Sequence, residues 1–149
     1  MPYNKVAKNQ SQQKMEMLIT TAKQDPQSNL SISINDRLLE ATFLLWDSND
    51  QDIRTHNGKL IFYNCWAAEY VNVEIFDAAI REPCHPNIFL SKIIESQWYD
   101  SKIQQRAEIY PTWLAWDKKK HVHYLLEGRD HHIQMIASAF EFQIISCVL

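Results

Sequence analysis

The stretch Leu60-Ile-Phe-Tyr-Asn-Cys-Trp66, followed closely by Tyr70-Val-Asn-Val-Glu-Ile-Phe76, leaves this chain few folds to choose from. It is rich in aromatic and β-branched residues, carries little charge, and contains neither glycine nor proline. Such residues pack best on a pleated, half-buried surface. The stretch reads as the central pair of a sheet, or as one long strand bent at Ala67-Ala68. Upstream, Leu30, Ile32 and Ile34 alternate with Ser31, Ser33 and Asn35, which is the period of a half-buried strand. Asn35-Asp36 is a turn signal, and residues 37–46 read as the next strand.

Other segments supply covers and further strands. Residues 1–26 read as an N-terminal helical segment: Met15, Leu18, Ile19 and Ala22 recur at helical spacing, Ser11 offers a cap, and Asp25-Pro26 ends the run. Residues 47–58 form a polar loop closed by Asn57-Gly58, a favoured hairpin-turn pair. Its aspartates, Asp47, Asp50 and Asp52, lack the glycine and glutamate that a calcium loop needs at fixed offsets. After the proline-framed connection 77–88, Asn87 caps an expected helix through Trp98. Residues 105–116 alternate as a strand, with Pro111 marking an edge or bulge. His121 to Glu127 is a strand, Gly128-Arg-Asp130 a turn, and His131 to Ile145 a long return strand. A change of phase near Met135-Ile136 in that last strand implies a bulge or twist that carries it between faces.

These elements predict an α+β fold: a mostly antiparallel, twisted β-sheet of about six or seven strands covered by one or two helices. The 149 residues fit a single α+β domain, 1–149, long enough to bury a core without metal or disulfide support. The expected core comprises Leu39, Phe43, Leu45, Leu60, Phe62, Val71, Val73, Ile75, Tyr124, Leu126, Ile136, Phe140 and Phe142.

Composition excludes several function classes. Gly58 and Gly128 are the only glycines, so no glycine-rich phosphate cradle can be built. The net charge of −3 supplies no basic field for nucleic acid, and no apolar run approaches the roughly 18 residues of a membrane span. The N-terminus has no apolar segment of signal-peptide type, and Cys65, Cys84 and Cys147 form no Cys-x-x-Cys pair. The expectation is a cytoplasmic protein with reduced thiols.

Three places could carry chemistry. Four histidines, His121, His123, His131 and His132, crowd one hairpin. With Arg129-Asp130 as its turn, His132 faces Glu127, and His121, His123, His132 and Glu127 are then candidate zinc ligands for a metal-binding, hydrolytic protein. The competing reading is an exposed polar face opposite a buried Val122, Tyr124 and Leu126. Cys84-His85 in the proline-framed loop has the residue types of a nucleophile pair but no surrounding signature. Trp113 and Trp116 beside Lys118-Lys119-Lys120 would suit single-stranded nucleic acid, but three lysines in an acidic chain also make an ordinary solvated turn. Taken together, the tryptophans and tyrosines suit a protein–protein surface, with Trp113, Trp116 and Tyr99 as candidate binding residues.

Asp36-Arg-Leu-Leu-Glu40, then Lys59-Leu-Ile-Phe-Tyr-Asn-Cys-Trp66, then His132-Ile-Gln-Met-Ile-Ala-Ser-Ala-Phe-Glu-Phe142 together resemble small bacterial β-rich proteins, some of them similar to the immunity proteins of toxin systems. The resemblance covers about half the chain and rests on strand texture. It implies a non-enzymatic binding role and carries over no functional residue. The function expected from the sequence is a cytoplasmic protein-interaction module without a cofactor, binding a protein partner. Self-association is a further expectation, since a long closing strand can pair at an edge.

Overall fold

The computed structural model describes residues 15–46, 56–72 and 88–146. Among them nine strands form two antiparallel sheets: β1 (Met15–Met17), β2 (Ser31–Asn35), β3 (Leu38–Leu44), β4 (His56–Tyr63), β5 (Ala67–Asn72), β6 (Leu90–Ile93), β7 (Val122–Glu127), β8 (His131–Ala137) and β9 (Ala139–Ser146). Helices α1 (Gln97–Ile109) and α2 (Trp113–Trp116) lie between β6 and β7. One sheet runs β1-β6-β7-β8-β5 and the other β2-β3-β4-β9. The class is α+β and mostly antiparallel, as expected, but with two sheets and more strands than one six- or seven-stranded sheet.

Local chemistry sets both tight hairpins. Asn35 pairs with Leu38, so Asp36 and Arg37 form the β2–β3 turn, and Asp36 takes a left-handed φ of 57°. Aspartate tolerates that region better than most residues. Across the second hairpin Glu127 pairs with His132, and the Gly128 N–H donates to the His131 carbonyl at 2.8 Å, leaving Arg129-Asp130 as the turn.

The organising stretch does not pair with itself. β4 pairs with β9 in one sheet, and β5 pairs with β8 in the other. The chain crosses between sheets at Asn64, whose φ is 52°, and crosses back at Ser138. The Ser138 N–H donates to the Tyr63 carbonyl at 2.9 Å, and the Trp66 N–H to that of Ile136 at 3.2 Å. β4–β5 and β9–β8 are thus one antiparallel ribbon folded at a corner. The phase change expected near Met135-Ile136 falls two residues later, as a switch of sheets.

The sheets enclose one core. Leu39, Ala41, Phe43, Leu60 and Phe62 meet Tyr124, Leu126, Ile133, Met135 and Ala137. The Phe62 and Tyr124 rings are 5.3 Å apart, and those of Tyr124 and Phe140 5.7 Å. Of the expected core, Leu45 is also buried, Ile136 is buried on the opposite face of β8, and Phe140 and Phe142 are partly buried. The Val71 side chain, Val73 and Ile75 lie outside the described residues. Gly58 sits inside β4, opposite Phe43, rather than in a turn. A Cβ there would come within 2.5 Å of the Phe43 ring, so glycine makes room for an aromatic side chain across the strands.

Three expectations are corrected. Residues 15–24 are not helical: Met15–Met17 is a short strand paired with β6, because a long-range partner outweighs helical spacing. The helix expected from Asn87 to Trp98 is instead β6, with Leu90, Ser91 and Ile93 buried, and the helix begins at Gln97. The strand expected over 105–116 is helical up to Ile109 and again from Trp113. Ser96 caps α1, its Oγ accepting the Tyr99 N–H at 2.9 Å, and Pro111 keeps Tyr110 from continuing the helix.

Candidate functional site

Four segments meet at the folded corner of the ribbon. The Cys65 N–H donates to the Arg37 carbonyl at 2.8 Å, tying the β2–β3 turn to the β4–β5 crossing. α1 brings Lys102 and Arg106, and α2 brings Trp113 and Trp116. His121 follows just before β7.

Arg106 is the centre of this assembly. It is 6% exposed, and its guanidinium carbon lies 4.4 Å from the ring centre of Trp66, 4.5 Å from Trp113 and 5.0 Å from Trp116. Its Nη2 donates to Asp117 Oδ2 at 2.9 Å, with both side chains about 5% exposed. The same oxygen lies 3.2 Å from His121 Nε2. Asp117 Oδ1 accepts from the Lys119 N–H at 3.3 Å and from Asn64 Nδ2 at 3.4 Å. Burial pushes the Asp117 carboxyl up, but Arg106, Asn64, His121 and the Lys119 amide together outweigh it and hold the group below the usual carboxylate range.

His121 has a defined proton. The Trp66 Nε1–H donates to His121 Nδ1 at 3.2 Å, so the ring proton sits on Nε2 and points at Asp117. Burial, reinforced by Arg106, lowers its pKa against the pull of Asp117, so the ring is neutral at neutral pH. Within this cluster the buried charge is therefore one arginine–aspartate pair, whose carboxylate also accepts from Asn64 and the Lys119 amide.

Outside this cluster opens a cleft of about 770 Å³ lined by Arg37, Trp66, Ala67, Ala68, Lys102, Gln105, Arg106, Ile109, Tyr110 and Trp116. Among the described lining residues three are cationic and none is acidic. Arg37 lies 5.4 Å from the Trp116 ring and donates to Asn64 Oδ1 at 3.3 Å. Along one rim, Ile109 is 68% exposed, Tyr110 55% and Trp116 49%, and Leu114, on the same helix as Trp116, is 66% exposed. Side chains of this size rarely stand so exposed together without a partner.

The sequence candidates divide between this cleft and its surroundings. Trp116 lines the cleft, whereas Trp113 is buried against Arg106. Tyr99 stands apart, on a smaller pocket of about 380 Å³ shared with Ser96, His121 and His123. Lys118, Lys119 and Lys120 are exposed and line neither pocket. Cys84 and His85 lie outside the described residues.

The histidine hairpin is not the exposed polar face that was the alternative to a metal site. His123, Glu127 and His132 are all buried, on the side of the sheet away from the core. Nor does the hairpin gather four ligands. His132 Nε2 is 3.9 Å from Glu127 Oε1, while His121 turns to Asp117. His123 turns to Ser96 and Gln134. Among the described residues no three histidine, cysteine or acidic side chains come together as a metal site would require.

The His123 chain has the outline of a nucleophile pair. With Gln134 Oε1 accepting from Nε2–H at 2.9 Å, Nδ1 is left to accept the Ser96 hydroxyl proton at 2.7 Å. Ser96 Oγ is already committed to capping α1, and burial pushes the His123 pKa down to about 4, too weak a base to hold a serine proton. Trp98 closes over the imidazole at 4.7 Å. The chain anchors the start of α1 to the sheet.

Sequence reasoning missed Arg37, Trp66, Lys102 and Arg106. They are scattered from 37 to 106, and only the folded corner brings them together. No protein-family model matches this chain, and neither do curated proteins or solved structures.

Proposed function

We propose that the protein is a non-enzymatic protein-interaction module whose binding surface is the cleft and its α1–α2 rim. The carrying observation is exposed Ile109, Tyr110 and Trp116 lining a cleft that contains Arg37 and Arg106, with exposed Leu114 on the same helix as Trp116. Tryptophan, tyrosine and arginine dominate the energetic centres of protein interfaces. The buried Arg106–Asp117 pair fixes the wall in advance, which lowers the ordering cost of binding. The resemblance in strand texture suggests an immunity-like version of this role, in which a toxin is bound and blocked.

A photo-crosslinking residue at Leu114, with one at the exposed Ser33 as control, tests the reading in lysate of the source cells. One protein adduct at position 114, absent at 33 and lost in a Trp116→Ala background, is expected. No adduct at 114 overturns it.

A second surface is favoured by Ile144, 58% exposed on β9, which ends its sheet among the described residues. Such an edge suits self-association. Sedimentation of wild type against Ile144→Lys decides: a dimer in the first alone supports it, and a monomer in both removes it.

A further inference from the structure

We infer that the cleft takes an acidic, extended peptide segment, laid along the outer edge of β5. This rests on the interaction reading and names the chemistry of the partner.

Charge is the first ground. Asp117 neutralises Arg106, and among the described residues no carboxylate lines the cleft to do the same for Arg37 or Lys102. Among the described residues, the polar side-chain partners of these two cations are the neutral Asn64, at 3.3 Å from Arg37, and Gln105, at 3.4 Å from Lys102. In a chain of net charge −3 this is a local reversal of sign. An acidic ligand meets two cations that have lost little water and await a counter-charge.

The aromatic rings argue against a nucleobase. Stacking platforms need open faces. Trp113 is buried, Trp66 carries the Arg106 guanidinium, and Trp116 is approached by both Arg106 and Arg37. The rings hold cations in place, and the cations are what the cleft presents.

Backbone geometry supplies the extended form. β5 ends the five-stranded sheet, and its side away from β8 pairs with no strand among the described residues. Its first two residues, Ala67 and Ala68, line the cleft, and methyl side chains let a second backbone come close. An unpaired edge is a template for strand addition, with main-chain bonds giving affinity and alternate side chains giving specificity. The six residues of β5 span about 20 Å. Ile109 and Tyr110, exposed and lining the same cleft as Ala67 and Ala68, are open to side chains flanking such a segment.

The test uses the full chain and a fluorescein-labelled nonapeptide alternating glutamate and valine, read by anisotropy. Controls are the same peptide with glutamine for glutamate, two versions N-methylated on alternate amides, and labelled decathymidylate. The expected result is binding of the glutamate peptide, weakened about tenfold or more in Arg37→Glu and in Lys102→Glu. One N-methyl phase should abolish binding and the other spare it. Both variants change exposed or half-exposed side chains, and unchanged melting confirms their fold. Equal affinity for the glutamine peptide, equal effects of both N-methyl phases, preference for decathymidylate, or no peptide binding each overturns the proposal. The Leu114 cross-link is scored separately, so a captured partner without acidic-peptide binding removes this inference and leaves the interaction reading standing.

Discussion

Replacing Arg106 by methionine should be the most damaging single change at the cleft. The substitution keeps an unbranched side chain but removes the cation from a buried pair at 2.9 Å. Asp117, 4% exposed in its side chain, is left facing Asn64, His121 and the Lys119 amide, which cannot match a full positive charge. Breaking one side of such a pair costs about 3–5 kcal/mol. The three tryptophan contacts of the guanidinium move the expected loss to the upper part of that range, about 4 kcal/mol. For a chain of this size that lowers Tm by about 10–15 °C. Asp117→Asn should cost less, about 2 kcal/mol, because the stranded cation still reaches solvent through the cleft. The double variant Arg106→Met/Asp117→Asn should recover about 2–3 kcal/mol relative to the sum of the singles.

Urea unfolding followed by tryptophan fluorescence measures all three changes, since three reporters surround Arg106. The pH dependence supplies an independent sign. Wild-type Asp117 titrates below its ordinary value, so its contribution is complete above about pH 4 and is lost as pH falls further. Without Arg106 burial dominates, and the Asp117 pKa rises above that of the unfolded chain. The deficit of Arg106→Met should therefore shrink as the medium is acidified towards pH 4. Single-variant losses below about 1 kcal/mol that simply add would show that the pair is no coupled unit and does not hold the cleft wall.

Three further outcomes are expected. His123, held near 4 by burial against an ordinary 6.5, resists protonation when folded but not when unfolded, so stability should fall by about 3 kcal/mol as pH drops from 6.5 to 4. His123→Gln should flatten that slope in pH-resolved urea titrations, and an unaltered slope would count against it. Gly58→Val raises strand propensity yet drives a Cβ into Phe43, so a loss of about 1–3 kcal/mol, partly restored by Phe43→Leu, is expected from melting curves; a gain would mean the ring moves freely. The Cys65 thiol, pushed up to about 11 by burial, should resist iodoacetamide at pH 8 until denaturant is added, as peptide mass mapping would reveal.

Strands whose partners are adjacent in sequence were legible. β2–β3 and β7–β8 announce themselves through alternation and a polar turn, and both form as expected. Where the partner is distant, local text misleads. Met15–Met17 carries helical spacing but is a strand because β6 pairs with it. α1 went unseen for a different reason: its one fully buried residue is a charged arginine, so it shows no apolar stripe to read. The alternating Ala107, Ile109, Pro111 and Trp113 imitates a strand because Ile109 is largely exposed and Trp113 belongs to another helix. Trp116, which lines the cleft, could be picked out as a candidate from its type alone. Arg106, Asp117 and Arg37 acquire meaning only through contacts spanning up to 79 positions, a span that composition and periodicity do not sense.

The fold of the β4–β5/β9–β8 ribbon has a mechanical consequence. Both crossings between sheets lie side by side, bonded through Tyr63–Ser138 and Trp66–Ile136. If the two sheets flex against each other, that corner is the fulcrum, and a fulcrum moves least. Trp66, on the cleft wall, sits there, and Arg37 is pinned to the neighbouring Cys65. The sheets' far ends can then move with little leverage on the cleft, whose wall lies at the fulcrum.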